Sequence, residues 1–344
     1  MSICVLGAGI NGLSTAVQIQ RAEPRASVTL IAERFSPNLT SDVASGHFRP
    51  SYLGELSDHE LILKWCKTTF SHLKHLAWED GTHYGAQFIS GYHFNTQPIA
   101  DTHYLEGVVN NFRSLSFREV QDLTNSSKYS TGVFYTSIAL EGSRYLATAM
   151  DEFKGRGGKT IQQKVTDLKS VLSSYDVVVN CTGLGARKLT NDTSLYPIRG
   201  QVFRAVAPAV KHFYIMQDQI TNTARYVHPN LEWVVVGGTH TANDWNMDWS
   251  EEDGKEIWND ICALVPNMKT ARIIDRRVGL RPARPCIRVE CESMLDSRGR
   301  CKSIVHNYGH GGSGLTLFAG TALDAAQLVQ QAVTGGTGSM PSKL

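Results

Sequence analysis

The stretch Ile3-Cys4-Val5-Leu6-Gly7-Ala8-Gly9-Ile10-Asn11-Gly12-Leu13 decides the fold. Ile3 to Leu6 is an apolar run of strand length, and it enters three glycines spaced G-x-G-x-x-G. A helical repeat through Leu13, Ala16, Val17 and Ile19 follows. Strand, glycine turn and helix in that order form the first unit of a dinucleotide-binding α/β lobe. Gly7 permits the tight turn, Gly9 lets a pyrophosphate approach the backbone, and Gly12 lets the helix pack close to the strand. Ala8, Ile10 and Asn11 complete a cradle whose helix N-terminus faces the anion. Val28 to Ile31 reads as the next strand and leads to Glu33, whose carboxylate can bind a ribose hydroxyl pair and disfavours a 2′-phosphate; Arg34 beside it joins the cofactor positions.

The rest of the composition narrows the function class. The chain has 344 residues, of which 42% are hydrophobic, enough for one two-lobed unit. Its 34 basic and 32 acidic residues give a net charge of +2 with no long cationic run, which argues against a nucleic-acid partner. No apolar run is long enough to span a bilayer, so no membrane partner is expected. The seven cysteines form no CxxC pair, so neither a metal site nor a disulfide framework is expected. The last three residues, Ser342-Lys343-Leu344, spell a peroxisomal address read by an import receptor.

A second apolar strand, Asp176 to Asn180, runs into Cys181-Thr182-Gly183-Leu184-Gly185. A late closing strand of this kind is more typical of FAD enzymes than of NAD dehydrogenases, so FAD is the expected cofactor. Gly309 to Gly314 is glycine-dense and has the free N–H groups and low bulk to lie against a flavin. His306 and His310 lack an acid or cysteine partner at ligand spacing and read as structural or pocket-lining. Arg281 and Arg284 lie three apart in the extended, proline-flanked run Gly279-Leu280-Arg281-Pro282-Ala283-Arg284-Pro285, where one guanidinium can point inward.

Four stretches carry a resemblance to the D-amino-acid oxidase and D-aspartate oxidase family over nearly the whole chain. They are Thr40-Ser41-Asp42-Val43-Ala44-Ser45-Gly46, Arg199-Gly200-Gln201, Gly279 to Pro285, and His306-Asn307-Tyr308-Gly309-His310-Gly311-Gly312-Ser313-Gly314-Leu315-Thr316. The resemblance implies an α/β fold: a Rossmann-type FAD-binding lobe built from residues 1–46, 140–195 and 270–340, with an inserted β-rich, mixed-sheet substrate lobe of residues 47–139 and 196–269. It implies FAD contacts from Thr40, Ser41, Ala44, Ser45, Gly46, Val165, Thr182 and Gly183. It further implies contacts from Gly311, Gly312, Ser313, Gly314, Leu315 and Thr316. It assigns the substrate α-carboxylate to Arg284, whose planar fork suits it, and to Tyr226, and the substrate amine to the Gly312 carbonyl. No side chain serves as general base. Hydride would pass to flavin N5 and electrons to O2, giving hydrogen peroxide, a 2-oxo acid and ammonia. A homodimer is compatible with it.

Substrate choice turns on charge, because an acidic side chain needs a cation to replace its lost hydration. Arg49, Arg225 and His240 offer one. Arg49 stands where mammalian neutral oxidases have glutamine, His240 stands where D-aspartate oxidases have arginine, and Asp244-Trp245-Asn246 also resembles that branch. Ala139-Leu140-Glu141-Gly142-Ser143 resembles the neutral branch, and Asn222 stands where the mammalian neutral enzymes carry a second tyrosine. The expectation is an acidic D-amino acid, D-aspartate or D-glutamate. The alternatives are a neutral or basic D-amino acid, a glycine or sarcosine-type amine substrate, and a non-catalytic flavoprotein.

Overall fold

The computed structural model describes residues 1–97 and 104–334. Among them the strands are β1 (Ser2–Leu6), β2 (Ser27–Ala32), β3 (Ala86–Asn95), β4 (Asn110–Ser114), β5 (Thr131–Leu140), β6 (Lys159–Gln162), β7 (Val177–Asn180), β8 (Tyr196–Val206), β9 (Phe213–Asp218), β10 (Thr223–Pro229), β11 (Val234–Gly237), β12 (Thr241–Ala242), β13 (Arg272–Leu295) and β14 (Cys301–His310). They join one mixed sheet in the order β4-β5-β3-β9-β10-β11-β8-β13-β14-β7-β1-β2-β6, with β12 attached to β8.

The two ends of that sheet obey different rules. β14, β7, β1, β2 and β6 run parallel. Both faces of such strands are covered, so Ile3–Leu6 of β1 and Val177–Val179 of β7 are continuously apolar and buried, each Ile or Leu contributing roughly 2 kcal/mol by its burial. The helices Ile10–Ala22 and Gly314–Thr334 pack together over this end. The strands from β8 outward pair antiparallel, except β3 with β9.

β13 belongs to both ends. Its first half pairs with β8 and its second with β14, and Ala283 is the residue paired to both, opposite Tyr196 and His310. Arg281 and Arg284 therefore sit where the nucleotide end of the sheet meets the antiparallel end. The tail Ser342-Lys343-Leu344 lies outside the described residues.

Candidate active site

The turn after β1 forms as its glycines require. Gly7 takes φ of 101°, a conformation side chains rarely adopt, and a Cβ there would lie 2.4 Å from the Cys181 carbonyl oxygen; one on Gly12 would lie 1.9 Å from the Gly7 oxygen. Gly9 is different, with only the Ser41 hydroxyl nearby at 3.5 Å. That hydroxyl accepts from the Ile10 N–H at 3.1 Å. Ala8 is buried behind the turn. The Asn11 Oδ1 is buried without a partner, and at Gly183 a Cβ would meet nothing closer than Pro282 at 3.9 Å. An open glycine and a helix N-terminus fit a bound pyrophosphate. Glu33, past the end of β2, is bonded by Lys164 at 3.1 Å, and its neighbour Val165 packs on Cys4, Leu6 and Ile31. Arg34 is exposed beside it. Thr182 donates to Asn180 at 2.7 Å, shaping the turn that leads to Gly183.

Residues almost three hundred positions apart converge on this cradle. Asn11 Nδ2 lies 3.2 Å from His310 Nδ1, and Asn307 donates to Thr15 at 3.0 Å. The glycine segment is then tied to the entry of the substrate lobe. Ser313 Oγ both accepts from Ser51 N–H and donates to its carbonyl, each at 2.7 Å, while Thr316 Oγ1 donates to the Arg49 carbonyl at 3.1 Å. Leu315 is buried, a Cβ on Gly312 would lie 2.7 Å from the Tyr52 ring, and Gly314 faces the Asn11 amide. Thr40 donates to the Leu280 carbonyl at 3.3 Å, and Ala44 borders a small gap beside Glu141 and Trp233. Ser45 is half-buried, and Gly46 is packed on Leu140. His306 is bonded to Glu292 at 2.9 Å and to Asn180, and His310 also to Thr321.

β13 decides which arginine faces the antiparallel sheet. Residues three apart on a strand point to opposite faces. Arg284 turns toward Asp192, its Nε bonding that carboxylate at 2.9 Å and its Nη1 the Cys286 carbonyl at 3.0 Å. Asp192 is also bonded by Tyr308 and Ser194; burial works to raise its carboxyl, but those bonds and Arg284 outweigh burial and hold it at about 2. The resemblance assigns the substrate carboxylate to Arg284; in the structure the charge of that guanidinium is already matched by the Asp192 carboxylate. Arg281 lies on the other face. Its guanidinium rests flat on Gly200 of β8, where a Cβ would be 2.4 Å from Nη1, and one N–H donates to the Thr239 carbonyl at 3.1 Å.

Tyr226 of β10 occupies the same face by the pairing Tyr226–Gly237–Val202–Arg277, an even step from Arg281. Its ring crosses Gly237, where a Cβ would lie 2.5 Å from the ring. Tyr52 closes the group, its ring 5.9 Å from the Arg281 guanidinium and 5.6 Å from the His240 ring. Burial raises the Tyr52 hydroxyl, while the charges of Arg281 and Arg49 pull it back down, which places both cations within electrostatic reach of one atom. Gly200, Gly237 and Tyr52 went unassigned in the sequence reading; a glycine inside an apolar strand was the available signal for the first two.

Among the three candidate side-chain cations the structure separates one. Arg225 turns outward to Asp260 at 2.8 Å and Glu256 at 3.5 Å, so its charge is spent. His240 is held below its ordinary range by burial and then by Arg281 and Arg225, so near neutral pH it is uncharged. Arg49 has no carboxylate within 4.0 Å among the described residues; its Nη2 donates to Gln217 at 2.9 Å.

Residues 2–328 match the family described as DAO, FAD dependent oxidoreductase. The chain belongs to the FAD dependent oxidoreductase family. Over 333 residues it is 38% identical to a D-aspartate oxidase of Homo sapiens, covering 96% of this chain and 95% of the relative. Over 335 residues it is 38% identical to a D-amino acid oxidase of Dugesia ryukyuensis, covering 96% and 97%. Among solved structures, a glycine oxidase from Bacillus cereus aligns with a TM-score of 0.75 at 16% identity over 96% of this chain and 94% of that one, which speaks for the fold alone. The protein is thus an FAD-dependent oxidoreductase with the mixed-sheet flavoprotein fold of this family, and FAD is its cofactor.

Proposed function

We propose that this oxidoreductase deaminates acidic D-amino acids, D-aspartate and D-glutamate, to the 2-oxo acid and ammonia with O2 as acceptor. The observation that carries the reading is a pair of half-buried arginines, Arg281 and Arg49, that have no carboxylate within 4.0 Å among the described residues and whose charges both act on Tyr52. A dicarboxylic amino acid brings two anions. A neutral amino acid would leave one of these cations unmatched in a half-buried site, at a cost in binding. The relatives named for D-aspartate and D-amino acids give the reaction class.

In this reading Arg281 takes the α-carboxylate through its planar fork, with the Tyr226 hydroxyl as a second donor. Gly200 and Gly237 leave the space in which those two side chains lie. Arg49 takes the distal carboxylate. The Gly312 carbonyl accepts from the substrate amine, and Tyr52 shields the cluster from water. FAD, when bound, would supply the hydride acceptor and the route for electrons to O2. These side chains contribute orientation, since no titratable base is needed beside the α-carbon when the amine binds uncharged. We also infer that Ser342-Lys343-Leu344 sends the enzyme to the peroxisome, where released peroxide is handled; deleting Leu344 should leave it cytosolic in imaging.

The test is a peroxide-release panel over acidic, neutral and basic D-amino acids. The reading expects kcat/KM for D-aspartate to exceed that for D-alanine by about a hundredfold, the scale of one charge-assisted pair. Equal values, or a preference for D-alanine, would make this a neutral D-amino-acid oxidase and end the acidic reading.

A further inference from the structure

We propose that His93 is a positioning residue for the distal-carboxylate subsite, acting through Gln217 to fix the Arg49 guanidinium. This rests on the reading of Arg49 given above.

Gln217 Oε1 faces two donors, Arg49 Nη2 at 2.9 Å and His93 Nε2 at 3.2 Å. Arginine has only N–H groups to offer, so the amide atom turned toward it is the oxygen. The imidazole nitrogen facing that same oxygen must then carry a proton, which sets His93 in its Nε2–H form. Its Nδ1 is buried without a partner, so no competing bond sets the tautomer. Burial, then the nearby Arg49 charge, lowers His93 well below its usual range, while its bond to Gln217 works the other way. The donor is therefore neutral, and the subsite keeps a single formal charge.

The sheet explains why this chain of bonds is rigid. His93 is completely buried on β3, opposite Ile215 of β9, and Gln217 follows two residues later on the same face, opposite Asn95. Arg49 comes from a separate loop whose backbone is pinned by Thr316. A long arginine side chain has large rotamer freedom, and a fixed amide at its tip selects one arrangement. His47 and His228 near it are neutral as well: burial lowers both, with Arg49 adding to the effect, and His228 is held at about 3. Among the described residues, the titratable and charged groups acting on or with His93 are Arg49, His47 and His228. Removing His93 frees Gln217 to swing and so loosens Arg49, without touching Arg281.

The experiment measures the ratio of kcat/KM for D-aspartate to that for D-alanine in holoenzyme carrying Arg49→Ala, His93→Phe, His93→Gln, Gln217→Leu, and Arg49→Ala with His93→Phe. Arg49→Ala should lower the ratio by about a hundredfold and His93→Phe by about tenfold, mainly through the KM for D-aspartate. His93→Gln, whose amide N–H can still donate to Gln217, should restore the ratio to within about threefold of wild type. In the double variant His93→Phe should add nothing, since the group it positions is gone. If His93→Phe fails to fold, Gln217→Leu must still lower the ratio about tenfold. A collapsed ratio in Arg49→Ala with an unchanged ratio in His93→Phe, or in Gln217→Leu where that variant replaces it, overturns the role of His93 and leaves the Arg49 reading standing. An unchanged ratio in Arg49→Ala overturns both.

Discussion

Arg281 and Arg284 share one strand, one residue type and a three-residue separation, yet their surroundings differ completely. Arg284 meets Asp192, itself bonded by Tyr308, and a backbone carbonyl, a closed network binding β13 to the loop before β8. Arg281 meets a glycine, a carbonyl and an aromatic ring, and no carboxylate lies within 4.0 Å of it among the described residues. The same charge therefore does two jobs. Where the protein supplies the anion, arginine holds the fold; where it does not, the proposed reading gives the arginine to a ligand. The parity of the strand assigns the jobs, because a step of three on a pleated strand changes face.

The sharpest way to break that comparison is to remove the free arginine. Arg281→Ala should lower kcat/KM by about a thousandfold, or about 4 kcal/mol, with the flavin absorbance of the purified enzyme intact. Loss of less than tenfold would return Arg281 to the surface. Next in size is Gly200→Ala: its Cβ would fall where the Arg281 guanidinium rests, so KM should rise about thirtyfold with little change in FAD content. An unchanged KM would mean that Arg281 does not need this bed.

Asp192→Asn tests the closed network instead. It should lower Tm by roughly 5 °C, because it leaves Arg284 without its anion, and change kcat/KM less than tenfold. The pH sign is fixed by the depressed carboxyl. Its contribution is complete above the ordinary value of 3.8 and is lost as pH falls toward about 2, so the Tm gap between wild type and variant should close across that window. A gap independent of pH would argue for lost packing alone.

The smallest effect belongs to the buried histidines. Burial holds His228 at about 3 and lowers His47 and His93, so these imidazoles are neutral in the fold but charge below about 6.5 when unfolded. The unfolded chain binds more protons between those limits, and stability falls as pH drops from 6.5 toward 3. Tm should decline from pH 7 to pH 5 in wild type and decline less in His228→Gln; parallel slopes would contradict this.

The two ends of the sheet also differ in how far sequence reveals them. The nucleotide cradle was legible because its logic is local: Gly7, Gly9 and Gly12 act within six residues, and β1, β2 and β7 appear close to their expected bounds. The substrate face was not legible, because it depends on which strand lies beside which. Arg281 reaches Gly200 across the β8–β13 register, and Arg49 meets Gln217 from 168 residues away. Spacing alone left room for one of Arg281 and Arg284 to point inward. Only the register and the position of Asp192 separate the two, pairing Arg284 and leaving Arg281 without a carboxylate among the described residues. Arg225 beside Tyr226 gave a similar trap, since neighbours on a strand face opposite ways.

The most direct test uses a ligand that cannot react. Oxidised holoenzyme is titrated with malonate, which has two carboxylates and no amine, and the flavin absorbance reports binding. Wild type and Arg284→Ala should give Kd values within a few fold of one another, while Arg281→Ala should weaken binding at least a hundredfold. Tight binding in Arg281→Ala together with lost binding in Arg284→Ala would contradict the assignment of the free arginine.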